Sequence, residues 1–230
     1  MNLSRAHALA ARGRSLYYAH QPVGGAPPRQ WYRITNAAEP DTATVLVYGD
    51  IGASLGGVDA EQLVSDVQAL DAKRIQLHIN SLGGSMFDGF GIYAAFRNHP
   101  ATVTAHVDGA AASAASIVAM GGNEVVMEKP ARIMIHDAGV LTAGTPRDLR
   151  EVADLLDEFS DSIAEIYADR AGGSVADFRA AMTAETWYSA AQAVEVGLAD
   201  RVNGTTTAAP ESQASQRIRA RARVTLGGAK

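Results

Sequence analysis

Three short stretches of this 230-residue chain carry residue types that can do chemistry. The first is Gly109 to Ser116, GAAASAAS. A serine at the start of a helix is surrounded by backbone N–H groups. Those amides and the helix dipole can stabilise an oxyanion. The alanine neighbours of Ser113 let a substrate backbone come close, although small-residue helices on their own serve tight packing. The second stretch is Ile79-Asn80-Ser81-Leu82-Gly83-Gly84. Tandem glycines after a strand and before a helix expose backbone donors. Read alone, the stretch is a turn, or a phosphate loop without its lysine. The third is Arg132 to Asp137, RIMIHD, where His136 ends an apolar strand and so stands at the rim of a sheet. A lone histidine there is more often structural than catalytic. A fourth candidate, Gly52-Ala53-Ser54-Leu55-Gly56, fits the G-x-S-x-G nucleophile elbow. An elbow needs its helix to begin directly behind the serine. Gly56-Gly57 and a cap at Asp59 delay that start, so a glycine-rich turn is the better reading.

The elements that would position these residues follow from hydrophobic period. Thr44 to Tyr48 reads as a buried strand. A capping box, Asp59 with Gln62, opens a helix bearing Leu63, Val64, Val67 and Leu70 on one face. Ile75, Leu77 and Ile79 alternate with polar residues as a second strand, and Gly83-Gly84 turn into a helix bearing Phe87, Phe90 and Phe96. Val103, Ala105 and Val107 mark a third strand. Asp108-Gly109 then lead into a small-residue helix, AAASAASIVAM, which Gly121-Gly122 stop. Two short strands follow, NEVVM and ARIMIH. Thr145-Pro146 open the longest helix, whose apolar positions Leu149, Val152, Leu156, Phe159, Ile163 and Ile166 make a stripe at spacings of three and four. Such a stripe asks either for a partner helix or for a place against its own domain. Ser174 and Ser189 cap two shorter helices, with Asp177 and Gln192 three residues on. Strand and helix alternate, which implies parallel strands with crossover helices.

Composition sets outer bounds. About half of the residues are apolar (47%), enough for a sizeable core. There is no cysteine, which excludes disulfides, thiolate metal sites and a cysteine nucleophile and fits a reducing compartment. A net charge of −5 argues against general nucleic-acid affinity. No apolar run is long enough to span a membrane. The start of the chain has Arg5, Arg12 and Arg14 but no apolar export core, and reads as a disordered or cleavable tail, with an organellar transit segment as the alternative. Residues 1–40, broken by Gly24, Gly25, Pro27 and Pro28, are expected to be an irregular extension, 41–203 the folded domain, and 204–230 a mobile basic tail. The tail's alternating Arg217, Arg219, Arg221 and Arg223 read as solvated.

Taken together, the motifs become specific. INSxGG, then G-x-A-A-S about thirty residues on, then MIH, resembles the Clp protease proteolytic subunit family. The resemblance runs from about Val45 to Val202 and ends on Trp187-Tyr188-Ser189-Ala190, Ala193-Val194 and Gly197-Leu198-Ala199-Asp200. It implies the α/β fold of ClpP and crotonase, a spiral of β-β-α units with a protruding handle helix at 146–171. It also implies Ser113 as nucleophile, His136 as general base, and the Gly84 and Ala114 amides as oxyanion hole. Peptide would lie as an added strand between Gly84–Met86 and Asp137–Val140, with Gly83, Ser85, Met86, Asp137, Ala138 and Gly139 as substrate-binding residues. Two positions depart from the family pattern. Leu82 replaces a proline of the glycine loop, at little expected cost. Glu185 stands where the family's third triad member is an aspartate, with Asp137 and Asp161 as alternatives.

The resemblance implies a serine endopeptidase that needs no metal or cofactor, assembled as homo-oligomeric rings through helix 146–171. Four features look more like the ClpP-related head maturation proteases of tailed phages. These are Trp31-Tyr32-Arg33-Ile34, the Gly83 to Gly89 loop, the DGAAASAAS run and Glu185-Thr186-Trp187. In that reading the substrate is scaffold or capsid protein and the setting is the host cytoplasm or the prohead. The alternative is a cytoplasmic subunit fed unfolded chains by a ring ATPase. Two further classes share the fold: a crotonase-type acyl-CoA enzyme, which ordinarily uses carboxylates, and a ring scaffold with a dead site.

Overall fold

The computed structural model describes residues 32–36, 41–52 and 60–204. Most of both expected tails, Trp31, and Ser54 with Asp59 lie outside the described residues. The chain runs β1 (Tyr32–Asn36), β2 (Thr42–Tyr48), α1 (Ala60–Gln68), β3 (Arg74–Ser81), α2 (Met86–Arg97), β4 (Thr102–Ala112) and α3 (Ala114–Met120). It continues with β5 (Glu124–Met127), β6 (Arg132–Ile135), α4 (Pro146–Ala171), α5 (Val175–Thr183), β7 (Thr186–Ser189), α6 (Ala190–Val196) and β8 (Arg201–Val202).

Eight strands form one mixed sheet, in the order β1-β2-β3-β4-β5-β8, with β6 beside β4 and β7 beside β6. The central pairs are parallel, as alternation with helices demands; β1–β2 and β6–β7 are antiparallel. Alternation is strict along β3, where Ile75, Leu77 and Ile79 are fully buried and face α1 and α2. The same face carries Val45, Val47, Val103, Ala105 and Val107, and Leu63, Val67, Ile92 and Phe96 cover it. Among the described residues no helix is long and apolar enough to cross a membrane.

Two local outcomes differ from the sequence reading. Tyr32–Asn36 form an edge strand on β2 within the stretch expected to be irregular, and Tyr32 is buried with its hydroxyl donating to Asp66 of α1 at 2.9 Å. The run of small residues does not start as helix. β4 continues through Gly109 and three alanines, and α3 begins only at Ala114. The reason is register. The first half of β4 pairs with β5 and its last three residues, Ala110 to Ala112, pair with β6, which carries the ladder past the end of β5. Asn80 holds the switch by accepting the Ala110 N–H at 3.2 Å, and a side chain at Gly109 would collide with its Oδ1.

The longest helix, α4, starts at the expected Thr145-Pro146, where Thr145 and Asp148 form a capping box, and ends at a left-handed Gly172. Its C-terminal half packs on the core through Ile163, Ala164, Tyr167 and Ala168. Its N-terminal half stands clear of it, with Leu149 and Leu155 exposed.

Candidate active site

The parallel strands β3, β4 and β6 end at one edge of the sheet, and each delivers part of the site there. This is where open α/β sheets place ligands, outside the carboxyl ends of their strands. Because Ala112 pairs with Met134, Ser113 arrives opposite the end of β6, and its N–H donates to the Met134 carbonyl at 3.0 Å. His136 follows directly. Its Nε2 lies 2.7 Å from Ser113 Oγ.

Ser113 is the N-cap residue of α3 and has φ +54° and ψ −127°, a conformation L-residues rarely adopt. Holding a non-glycine residue there costs on the order of 1–3 kcal/mol. The same conformation turns the side chain out of both the strand and the helix, toward the imidazole.

The double-glycine loop lies against this corner. Gly83 has φ +104°, and a side chain on it would meet the Ala112 carbonyl and Ser113 Cβ at 2.7 Å. Its N–H donates to Ser81 Oγ and its carbonyl accepts from Ile51 N–H, so both polar groups face the protein. Gly83, expected among the substrate-binding residues, is buried and is not among the residues that line the cavity. Gly84 (φ +145°) touches Ile51, leaves no room for a Cβ, and lines the cavity together with Ala114. As the first residue of α3, Ala114 has no acceptor for its N–H within the helix.

A cavity of about 400 Å³ opens beside Ser113 and His136. Gly84, Ser85 and Met86 line one side, and Asp137, Ala138, Gly139 and Val140 line another. Ile117, Leu156, Phe159 and Ile163 make its apolar wall. Phe87 closes edge-on against Phe159, with ring centres 5.1 Å apart. Of the segment after the histidine, Ala138 gives its N–H to Ser160 Oγ at 2.9 Å, which pins that segment to α4.

Burial pushes the His136 imidazole below its ordinary pKa, while the nearby charges of Glu185 and Asp137 pull it back up. The ring is therefore neutral at neutral pH, with an acceptor nitrogen available. Glu185 is brought to the site by register: Thr186 pairs with Ile135, so Glu185 stands across from His136. It has φ +49° and an exposed side chain, and its charge is the larger of the two upward pulls on the imidazole. The two alternative acids are engaged elsewhere. Arg179 of α5 binds both Asp137 and Asp161, and Thr183 Oγ1 donates to Asp137 at 2.9 Å. Sequence reasoning passed over Arg179, Ser160, Ser116 and Tyr167. Of these only Ser116 left a trace, as the second hydroxyl of the alanine run. Among the described residues no group of three or more His, Cys, Asp or Glu is arranged to hold a metal ion.

A serine hydroxyl in contact with a neutral imidazole, beside backbone amides and an apolar cavity, is equipped for acyl transfer. The comparisons agree with that chemistry. The family model described as Clp protease matches residues 18–206. The ATP-dependent Clp protease proteolytic subunit of Mesostigma viride is 32% identical over 193 residues, 79% of this chain and 83% of its own length. Proteolytic subunit 3 from Rhodococcus jostii (strain RHA1) is 30% identical over 162 residues, 69% of this chain and 80% of its own. Among solved structures, a mutant ClpP1 from Listeria monocytogenes superposes with a TM-score of 0.60 at 23% identity, covering 71% of this chain and 92% of its own, a likeness of fold.

Proposed function

Because this chain belongs to the Clp protease family and is a serine endopeptidase, we propose that Ser113 is its nucleophile and His136 the base that activates it. The 2.7 Å contact between Ser113 Oγ and His136 Nε2 carries this reading. His136 takes the hydroxyl proton as Oγ attacks a peptide carbonyl carbon, and the carbonyl oxygen becomes an oxyanion between the Gly84 and Ala114 amides. One such donor is worth about 3–4 kcal/mol. The tetrahedral adduct collapses to an acyl-enzyme as His136 passes the proton to the leaving amine. Water, activated by the same imidazole, then releases the acyl group. Glu185 stabilises the imidazolium of both steps by charge. The substrate lies extended between Gly84–Met86 and Asp137–Val140, with an apolar side chain in the cavity walled by Ile117, Leu156 and Phe159. The Ser113→Ala protein should lose cleavage of casein and of short apolar peptides, and should no longer label with a fluorophosphonate; undiminished cleavage would end the assignment.

The working form we propose is a ring, or stacked rings, joined through α4. Two substrate supplies fit it. The relatives are proteolytic subunits of ATP-dependent Clp proteases, which favours unfolded chains delivered by a ring ATPase. The second reading, maturation of phage scaffold or capsid protein without an ATPase, is favoured by the Gly83 to Gly89 loop, the DGAAASAAS run and Glu185-Thr186-Trp187. Incubating the purified protein with a capsid precursor in the absence of any ATPase separates them. Processing at discrete sites supports the second, and inertness toward folded precursor with full activity on casein supports the first. Family membership sets the acyl-CoA alternative aside.

A further inference from the structure

Behind Ser113 two buried hydroxyls, one of them on Tyr167, whose side chain also reaches the cavity lining, form a chain that the mechanism above does not use. Ser116 Oγ donates to the Ser113 carbonyl at 2.6 Å, and Ser116 N–H donates to the same oxygen at 2.9 Å. On its other side Ser116 Oγ meets the Tyr167 hydroxyl at 2.7 Å. Ser116 is 0% and Tyr167 1% exposed, although they are 51 residues apart and on different helices. The Ser116 proton is committed to the carbonyl, so the Tyr167 O–H must be the donor in the second bond. Burial pushes the Tyr167 phenol above its ordinary pKa, so it keeps that proton. A buried hydroxyl without a partner costs about 1–3 kcal/mol, and alanine at position 116 would continue its neighbours.

The carbonyl that receives these bonds belongs to the peptide group whose other end is the Ala114 N–H. That peptide follows the strained Ser113, so its plane is set by an unfavourable ψ and needs holding. Electron density drawn to its oxygen makes its N–H more positive, because the amide is one resonance unit and linked hydrogen bonds polarise one another. We infer that Ser116 and Tyr167 are positioning residues for the reaction, aiming and polarising the Ala114 N–H that holds the oxyanion. The inference rests on the assignment of Ser113 and Ala114 given under Proposed function.

The test is Tyr167→Phe, which removes one oxygen and no packing volume, alongside Ser116→Ala, both in the full chain. With a short fluorogenic peptide, kcat should fall roughly tenfold for either variant with KM unchanged, a fraction of what loss of a whole oxyanion donor costs. Affinity for a peptide boronate, whose tetrahedral adduct presents an oxygen to the same amide, should fall by the same factor. A merely structural role would not link the two. Full kcat in a folded Tyr167→Phe protein overturns the inference, as does a kcat loss with unchanged boronate affinity. If Ser116→Ala fails to fold, Tyr167→Phe alone decides. Failure of the underlying assignment shows separately, as cleavage persisting in Ser113→Ala.

Discussion

At the scale of single residues the proposed reaction turns on one imidazole and the charges around it. His136 works as a base only when neutral. Burial lowers its pKa and Glu185 and Asp137 raise it, burial prevailing. Activity should therefore be full at neutral pH and fall as pH drops through a value below the ordinary histidine pKa of about 6.5. Glu185→Gln removes the largest upward pull, so the acid limb of kcat/KM should move to lower pH still. The same change leaves the imidazolium of the transition state less stabilised, and kcat should fall by about ten- to a hundredfold, less than for a hydrogen-bonded triad acid. A pH profile of the two proteins on one peptide checks both signs; an acid limb moved upward would mean that Glu185 does not act by charge. Asp137 adds a smaller upward pull, its carboxylate being shared with Arg179 and Thr183. The pairing of Ser113 with His136 was visible in the sequence only through three motifs read jointly. Ser116 with Tyr167 was not visible at all: no local pattern announces a contact between two side chains so far apart along the chain.

At the scale of elements the site depends on three strands ending together and on a loop that fits the corner they make. Much of this was legible. Alternation marked β3, glycines marked its turn, and caps marked the starts of α4, α5 and α6. The end of β4 was not, because alanine carries little strand preference and a run of small residues resembles a helix. Its extension is decided by pairing with β6, a tertiary effect, and that extension is what puts Ser113 at the strand's tip. β1 was missed for a related reason: a short edge strand earns its place from Tyr32 burial and the Asp66 bond, not from its own five residues. The loop gives a sharp prediction. Gly83→Ala adds a methyl that meets the Ala112 carbonyl and Ser113 Cβ at 2.7 Å, from a φ of +104°. The loop must retreat from the corner and take the Gly84 amide with it. Peptidase activity should fall at least a hundredfold, as when an oxyanion donor is lost, and thermal unfolding should show a loss of about 1–3 kcal/mol. Retained activity in a stable Gly83→Ala protein would mean that the loop is not part of the oxyanion site.

At the scale of the whole molecule the unresolved force is the front half of α4. A helix of 26 residues is about 39 Å long at 1.5 Å per residue. Its buried positions, however, start only at Ser160. Ahead of that point Val152, Leu155, Leu156 and Phe159 line the cavity, Leu155 while still 48% exposed, and Leu149 stays 43% exposed outside it. The stripe seen in the sequence thus divides: its second half serves the chain's own core, and its first half is left to the cavity and to solvent. Covering a leucine that is already about half buried is worth about 1 kcal/mol, roughly half of a full burial, so several together can favour association, which is why we assign ring contact to this helix. Leu149 is the clean place to test it, since it lies outside both the core and the cavity lining. Leu149→Glu should leave the far-ultraviolet circular dichroism unchanged and reduce the assembly seen in sedimentation velocity. Because the segment after His136 is pinned to the same helix through Ala138 and Ser160, loss of assembly should also lower activity on short peptides, although the substituted residue touches neither Ser113 nor His136. A Leu149→Glu protein that sediments like the original would move the contact off this helix, and an original that sediments as a monomer would remove the ring itself.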